Sequence, residues 1–315
     1  MSILNTVTNF ILDASIVYSF DRRGFLRHQK GFTPADLNVN CQDQHILVTG
    51  GNAGLGYACA KELATKGAQV TILCRNSQKA ERAVNELKAH TENPNIHFLI
   101  ADMSDLEKIK LALKNNALSK VDVLIHNAGV LLNSLEYTRQ GFETTFATSI
   151  LGPQLLTHLI SKRQKDPPRI IWVSSGGMYP VKLDIKRLHT QKKTFDGVQT
   201  YAYCKRAQVV LSSLWWKKRG FWSQCMHPGW ANTAGVEHAL PHFWKFMHKH
   251  LRTPAQGADT MIWLAIAEQA HKNAGGYFWF DRQKVRTNYF PWTYSSTAKQ
   301  NILWDYVEAK IKDYL

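Results

Sequence analysis

From residue 45 onward, short runs rich in branched and aromatic residues alternate with longer segments of helical periodicity. The predicted strands are 45–50, 69–74, 96–101, 121–126, 169–174, 223–227 and 277–280. The predicted helices between them include 55–66, 80–90, 106–118 and 142–161. Strands that alternate with helices of this length form a parallel sheet covered on both faces and joined by right-handed crossovers. The pattern therefore predicts an α/β protein with a doubly wound parallel sheet.

The length of 315 residues suits one large domain of this kind with additional segments at its ends. No internal repeat or low-complexity linker separates a second domain. We predict an extension over residues 1–40, a single domain over 41–296, and a closing amphipathic helix over 297–315.

The extension begins with an apolar stripe at helical spacing, followed by a basic segment. The stripe comprises Ile3, Val7, Phe10, Ile11, Ala14, Val17 and Tyr18, and the basic residues are Arg22, Arg23, Arg27 and Lys30. Such a helix packs either on its own domain or on an anionic membrane surface, since both interactions bury the same face. Both alternatives stay open, and no run of about 18 apolar residues predicts a spanning helix. A cleaved signal peptide is not expected, because Asp13 interrupts the apolar run.

The charge balance and the cysteines narrow the class of partner and the compartment. Lys and Arg number 39, and Asp and Glu number 24, for a formal net charge of +15. This excess favours phosphorylated cofactors or anionic lipid. We predict no nucleic-acid partner, because no recognised reading motif accompanies the charge. The five cysteines are scattered without a CxxC pair, which argues against disulfides and a structural zinc site and indicates a reducing, cytoplasmic compartment.

A glycine-rich turn follows the first predicted strand and opens the first predicted helix, with the sequence TGGNAGLG over 49–56. Glycines at this turn let the backbone approach a pyrophosphate, which then lies at the helix N-terminus. The preceding strand and following helix are the context that a Rossmann-type dinucleotide site requires. We therefore predict cofactor contacts from Gly50, Asn52, Gly54, Leu55 and Gly56.

A second motif, YxxxK, is formed by Tyr201 and Lys205. In a helix these two positions lie on one face, so the phenol and the ammonium stand side by side. A free tyrosine has a pKa near 10, and an adjacent cation lowers that value by favouring the phenolate. The spacing therefore predicts that Tyr201 exchanges a proton with a substrate oxygen.

The order of these motifs, with Ser174-Ser175-Gly176 between them and His227-Pro228-Gly229 after them, resembles the short-chain dehydrogenase/reductase family. The resemblance implies that Ser175 orients a substrate carbonyl, that Tyr201 is the acid/base, and that Lys205 tunes its pKa and binds the cofactor ribose. It also implies cofactor contacts from Asp102, Met103, Asn127, Ala128, Gly129, Pro228, Gly229 and Thr233.

Arg75 stands at the end of the second predicted strand, where a carboxylate would bind the ribose hydroxyl of NAD. A guanidinium suits a 2′-phosphate, so the sequence predicts NADP(H). Ser149 departs from the family pattern, which usually has an asparagine that bends the helix and holds a water in a proton relay. Two functions follow: a carbonyl reductase or alcohol dehydrogenase, or a nucleotide-binding scaffold or sensor with little turnover.

The segments 174–178, 195–197, 226–230 and 255–260 resemble one group within the family more closely, that of dehydrogenase/reductase SDR family member 12. Residues 230–252 lie where the family has its substrate lid, and they mix aromatic with basic residues. This composition suits either a lipophilic substrate and a membrane surface or a packed subdomain. Four histidines lie there, His238, His242, His248 and His250, but we predict no metal because no ligand signature accompanies them.

Overall fold

The computed structural model describes residues 16–115, 118, 120–188 and 195–315. Its strands are β1 (His45–Thr49), β2 (Gln69–Cys74), β3 (Ile96–Ile100), β4 (Val123–His126), β5 (Arg169–Val173), β6 (Ser223–Met226), β7 (Phe278–Phe280) and β8 (Gln283–Lys284). They form one sheet in the order β3-β2-β1-β4-β5-β6-β7-β8, parallel except for β8. The doubly wound parallel sheet is confirmed. The two-residue β8 was not predicted, and its antiparallel turn uses positive φ at Asp281 and Arg282.

The helices are α1 (Ile16–Phe20), α2 (Arg22–His28), α3 (Gly54–Thr65), α4 (Ser77–Thr91), α5 (Leu106–Asn115), α6 (Thr144–Phe146), α7 (Gly152–Ser161), α8 (Gly197–Arg219), α9 (Ala234–Ala239), α10 (Pro241–Met247), α11 (Pro254–Ile266), α12 (Glu268–His271) and α13 (Thr297–Ile311). One face of the sheet packs against α3, α4 and α11, and the other against α5, α7, α8 and α13. Strand β1 is buried throughout, because Ile46 and Val48 face one layer and Leu47 faces the other.

The helix predicted over 142–161 is not continuous. It begins as α6, passes through a π-helical turn at Ala147–Leu151 and continues as α7. Pro153 lies four residues after Ser149 and has no N–H to complete an α-helical hydrogen bond to the Ser149 carbonyl. The side-chain amide of Gln208 on α8 donates to that carbonyl instead, at 2.9 Å. The helix therefore contains a π-helical turn although the family asparagine is absent.

The N-terminal segment packs on the domain from α1 onward. Most of the predicted apolar stripe, residues 3–15, lies outside the described residues. Within the described part, Tyr18 is exposed under the guanidinium of Arg23, whereas Phe20 is buried in the core. Asp21 caps α2 by accepting the backbone N–H groups of Arg23 and Gly24. In the described ranges, no helix has the length and apolar character that crossing a membrane requires.

Candidate cofactor and catalytic site

The glycine-rich turn forms a cradle at the start of α3. Gly50 and Gly54 have φ of +67° and +56°, which glycine adopts without strain. A Cβ on Gly56 would lie 2.4 Å from the Gly50 carbonyl oxygen, so only glycine fits there. Ala53 precedes the helix and offers no side chain to cap it. The first N–H groups of α3 therefore face outward for an anion, which fits the pyrophosphate of a dinucleotide.

The segment after β4 is tied to this turn. The Asn127 side chain donates to the Thr49 carbonyl at 2.9 Å, and the Thr49 hydroxyl accepts the N–H groups of Asn127 and Ala128 at 3.0 Å. Asn127 thus braces the glycine turn through its amide. On the other side of the cradle, the methyl group of Thr233 would lie 3.3 Å from a Cβ on Gly54. The residues predicted after β4 and β6 therefore meet at the start of α3.

The residues predicted for the adenosine end lie after β2 and β3. Arg75 is exposed, beside Asn76, which caps α4. Asp102 is partly exposed and accepts both the N–H and the hydroxyl of Ser104. Met103 is 4% exposed and belongs to the hydrophobic core. Of these three predicted residues, Arg75 is the one that offers a positive charge to a ligand, and its side chain is exposed to solvent.

The predicted catalytic residues come together where β5 meets α8. Ser175 is the second residue after β5, and its hydroxyl lies close enough to the Tyr201 phenol to influence the pKa of that group through hydrogen bonding. The Lys205 ammonium donates to the Val173 carbonyl at 2.8 Å and lies 5.1 Å from the centre of the Tyr201 ring. The Ser174 hydroxyl donates to the Lys205 carbonyl, which joins strand and helix. The geometry unites Ser175, Tyr201 and Lys205 in one site.

Burial sets the protonation of this pair. It raises the pKa of Tyr201 to about 12, against the opposing effect of the Ser175 hydrogen bond. It also lowers the pKa of Lys205 to about 8. The expectation that Lys205 holds the Tyr201 pKa below 10 was wrong for the cofactor-free protein, because loss of solvation raises that pKa by more than Ser175 lowers it. Tyr201 is therefore a neutral phenol at neutral pH, able to donate a proton.

Ser149 lies in the π-helical turn and is fully buried. Its hydroxyl has no hydrogen-bond partner among the described residues, and its carbonyl accepts from Gln208. Gln208 was missed at the sequence level. The signal that could have found it is Pro153, whose missing N–H leaves a buried carbonyl in need of another donor.

The segment after β6 leads from the cofactor cradle into the predicted lid. Gly229 has φ of +70°, and a Cβ there would lie 2.4 Å from the Arg252 guanidinium. In the lid, Trp230 packs edge-on against Phe243, with ring centres 5.2 Å apart. Phe246 is 79% exposed. The lid thus contains an aromatic contact and one large apolar side chain that lies mostly in solvent.

The lid histidines do not gather. Over the described ranges, no group of three or more His, Cys, Asp or Glu side chains is arranged to hold a metal ion. The five cysteines, Cys41, Cys59, Cys74, Cys204 and Cys225, are all buried free thiols.

A family model described as short chain dehydrogenase matches residues 44–183. The chain belongs to the short-chain dehydrogenase/reductase family, a family of oxidoreductases. It is 40% identical over 292 residues to Dehydrogenase/reductase SDR family member 12 of Homo sapiens, a match that covers 91% of each chain. The resemblance to that group is thereby confirmed.

Two further comparisons agree with this assignment. The chain is 32% identical to Retinol dehydrogenase 12 of Homo sapiens, across 76% of this chain and 79% of that relative. Its fold is similar to that of an uncharacterised protein from Mycobacterium paratuberculosis, with a TM-score of 0.70 and 24% identity. That match covers 89% of this chain and 97% of the crystallised one.

Proposed function

We propose that this protein is an NADP(H)-dependent reductase that converts the carbonyl group of a lipophilic small molecule to an alcohol. The observation that carries the proposal is that Ser175, Tyr201 and the buried Lys205 lie together beside an uncapped glycine cradle. Tyr201 holds its proton at neutral pH, and this state serves reduction, in which the substrate oxygen must gain a proton.

The residues of the chain have distinct tasks in this reaction. Ser175 donates its hydroxyl hydrogen to the substrate carbonyl and aims the oxygen at Tyr201. The Tyr201 phenol gives its proton to that oxygen as negative charge develops there. The Lys205 ammonium, held by the Val173 carbonyl, stabilises the phenolate that remains. The bound nicotinamide cofactor supplies the hydride.

Arg75 supports the choice of NADP(H). Its exposed guanidinium follows β2, the strand next to the glycine turn of β1. In Rossmann folds this position faces the adenosine ribose, where a guanidinium accommodates a 2′-phosphate.

The aromatic side chains of the lid support a lipophilic substrate. Trp230 and Phe243 pack together directly after the cofactor segment, and apolar walls of this kind line small-molecule sites. Among the relatives, Retinol dehydrogenase 12 is named for retinol, which is consistent with such a substrate class.

The test is NADPH oxidation by the purified full-length protein with a panel of lipid aldehydes, ketosteroids and quinones. Tyr201→Phe should lower turnover of the best substrate by about 10²–10⁴-fold, because it removes the proton donor, while NADPH affinity stays within about threefold. Tyr203→Phe is the matched control, since Tyr203 lies on the same helix and packs against Arg187 instead. It should retain activity. Full activity of Tyr201→Phe would refute the mechanism.

The alternative, a nucleotide-binding scaffold with little turnover, is favoured by Ser149 in place of the family asparagine. Turnover separates the two functions: NADPH binding with no reduction of any carbonyl would establish the scaffold. If Ser149 limits a proton relay, Ser149→Asn should raise kcat and leave KM roughly unchanged. An unchanged kcat would show that no relay is limiting.

We further propose peripheral contact of the lid with an anionic membrane surface, alongside the cytoplasmic location. Phe246 is 79% exposed and lies between the exposed Lys245 and Lys249. An apolar side chain flanked by cations suits the interface of an anionic bilayer. Co-sedimentation with phosphatidylserine vesicles should fall for Phe246→Ser and weaken with added salt. Equal co-sedimentation of the wild type and Phe246→Ser would refute the role of Phe246. Any vesicle binding would then belong to another part of the chain, such as residues 1–30.

A further inference from the structure

Phe20, the last residue of α1, reaches from the N-terminal segment to both loops of the catalytic centre. Its ring packs directly on the backbone of Gly176, the residue after Ser175: a Cβ there would lie 2.3 Å from the ring. On the other side, the Phe20 carbonyl accepts the Trp230 N–H at 2.8 Å, and the two rings meet edge-on. One residue thus contacts the loop after β5 and the segment after β6.

An aromatic cage holds the ring in this place. His227 lies 4.7 Å from it, Phe280 5.2 Å and Tyr179 6.3 Å, measured between ring centres. Phe20 is only 8% exposed. Because two of these neighbours belong to the loops that flank the site, removal of the ring would leave a cavity between those loops.

Arg252 anchors the backbone on either side of Phe20. It is 1% exposed and donates to the carbonyls of Ser19 and Phe20, both at 2.9 Å. Its guanidinium also binds both oxygens of Asp281, which in turn lies 2.6 Å from the His28 ring on α2. A buried charged group with this many partners holds one geometry, so α1 has a defined position relative to the site.

We propose that Phe20 is a positioning residue of the catalytic centre, whose ring sets the spacing between the Ser175 loop and the Pro228–Trp230 segment. The role in turnover rests on the proposed function, because these two loops would orient the carbonyl and the nicotinamide. The N-terminal segment is then part of the active site, although it lies outside residues 44–183 that the family model matches.

The experiment compares hydrogen–deuterium exchange in the cofactor-free, full-length protein and three variants. Phe20→Ala should increase exchange in peptides covering 174–179 and 227–231 by about tenfold, because it removes the contact that holds both loops. Phe20→Leu keeps most of the volume and should give a smaller increase. Phe25→Ala is the matched control: Phe25 lies on α2, is 3% exposed, and packs on Phe32. Its ring also lies 5.4 Å from the Arg252 guanidinium, but the hydrogen bonds of Arg252 to Ser19, Phe20 and Asp281 do not involve that ring. Phe25→Ala should leave exchange in those peptides within about twofold.

Kinetics then test the catalytic consequence. With the best carbonyl substrate, Phe20→Ala should lower kcat about 10–100-fold, since small misplacements of reacting groups have effects of this size, with the Kd for NADPH within about threefold. Phe20→Leu should recover most of that loss. Phe25→Ala should retain wild-type kcat.

Two results would overturn the proposal: unchanged exchange at both loops in folded Phe20→Ala, or an equal increase in Phe25→Ala. If Phe20→Ala does not fold, Phe20→Leu decides, since exchange at the loops either rises or stays at the wild-type level. A protein that reduces no carbonyl would refute the proposed function alone, because the exchange measurements need no substrate.

Discussion

The π-helical turn between α6 and α7 leads to a quantitative prediction about Gln208. Its amide donates to the Ser149 carbonyl, which Pro153 deprives of the usual helical donor. Gln208→Leu removes the side-chain donor to this buried carbonyl, at a cost of about 1–3 kcal/mol. The same change removes the Gln208 amide oxygen, which has no partner among the described residues and so offsets part of the loss. We expect a net destabilisation of about 1–2 kcal/mol.

A double-mutant cycle separates this role from general packing. In a Pro153→Ala background, residue 153 regains an N–H that can reach the Ser149 carbonyl, so Gln208→Leu should cost about half as much or less. The assay is urea unfolding of the cofactor-free protein. Ser212→Ala is the control: Ser212 is also buried on α8, but it pairs with Ser223, and its cost should be equal in both backgrounds. An equal cost of Gln208→Leu in the two backgrounds would refute the reasoning.

Three further predictions concern charge. Arg75→Glu should weaken NADPH binding about 10–100-fold and narrow or invert the preference over NADH in calorimetric titrations; equal affinities in the unmutated protein would contradict the role of Arg75. Burial lowers the pKa of Lys205 to about 8, so the unfolded state binds more protons between pH 8 and 10.5. The free energy of unfolding of the wild type, measured with urea, should therefore rise through that window relative to that of Lys205→Met. The same pH dependence in both proteins would exclude this effect. His227 is buried in its neutral form with a pKa of about 3, so stability should fall as pH drops from 6.5, less steeply for His227→Phe; an equal slope would assign the acid sensitivity elsewhere.

Local patterns predicted the sheet well. The strands begin and end within two residues of their predicted limits, because runs of buried branched residues mark a strand covered on both faces. The glycine turn and YxxxK depend on spacing along a few residues. The π-helical turn before Pro153 was not predicted, because the apolar periodicity over 142–161 indicated one regular helix.

Other features depend on contacts that no local pattern contains. The position of Phe20 is set by Gly176, Trp230 and Arg252, which follow it far along the chain. The protonation of Tyr201 depends on how completely the fold excludes water, and burial reversed the direction expected from Lys205 alone. Sequence spacing identifies neighbours, whereas desolvation is a property of the finished core.

The anchoring of α1 has a consequence for the order of events during synthesis. His28 and Asp281 are 253 residues apart, and Arg252 lies 232 residues after Phe20. During synthesis, α1 therefore leaves the ribosome long before its partners Arg252 and Asp281 are made. The sheet can assemble strand by strand. Phe20, however, is anchored against the Ser175 loop through Arg252, which binds Asp281 in the β7–β8 turn, so this contact needs that turn to be present. If Phe20 positions the catalytic centre as proposed, completion of that centre is a late folding step, and a nascent chain released before Asp281 would lack it.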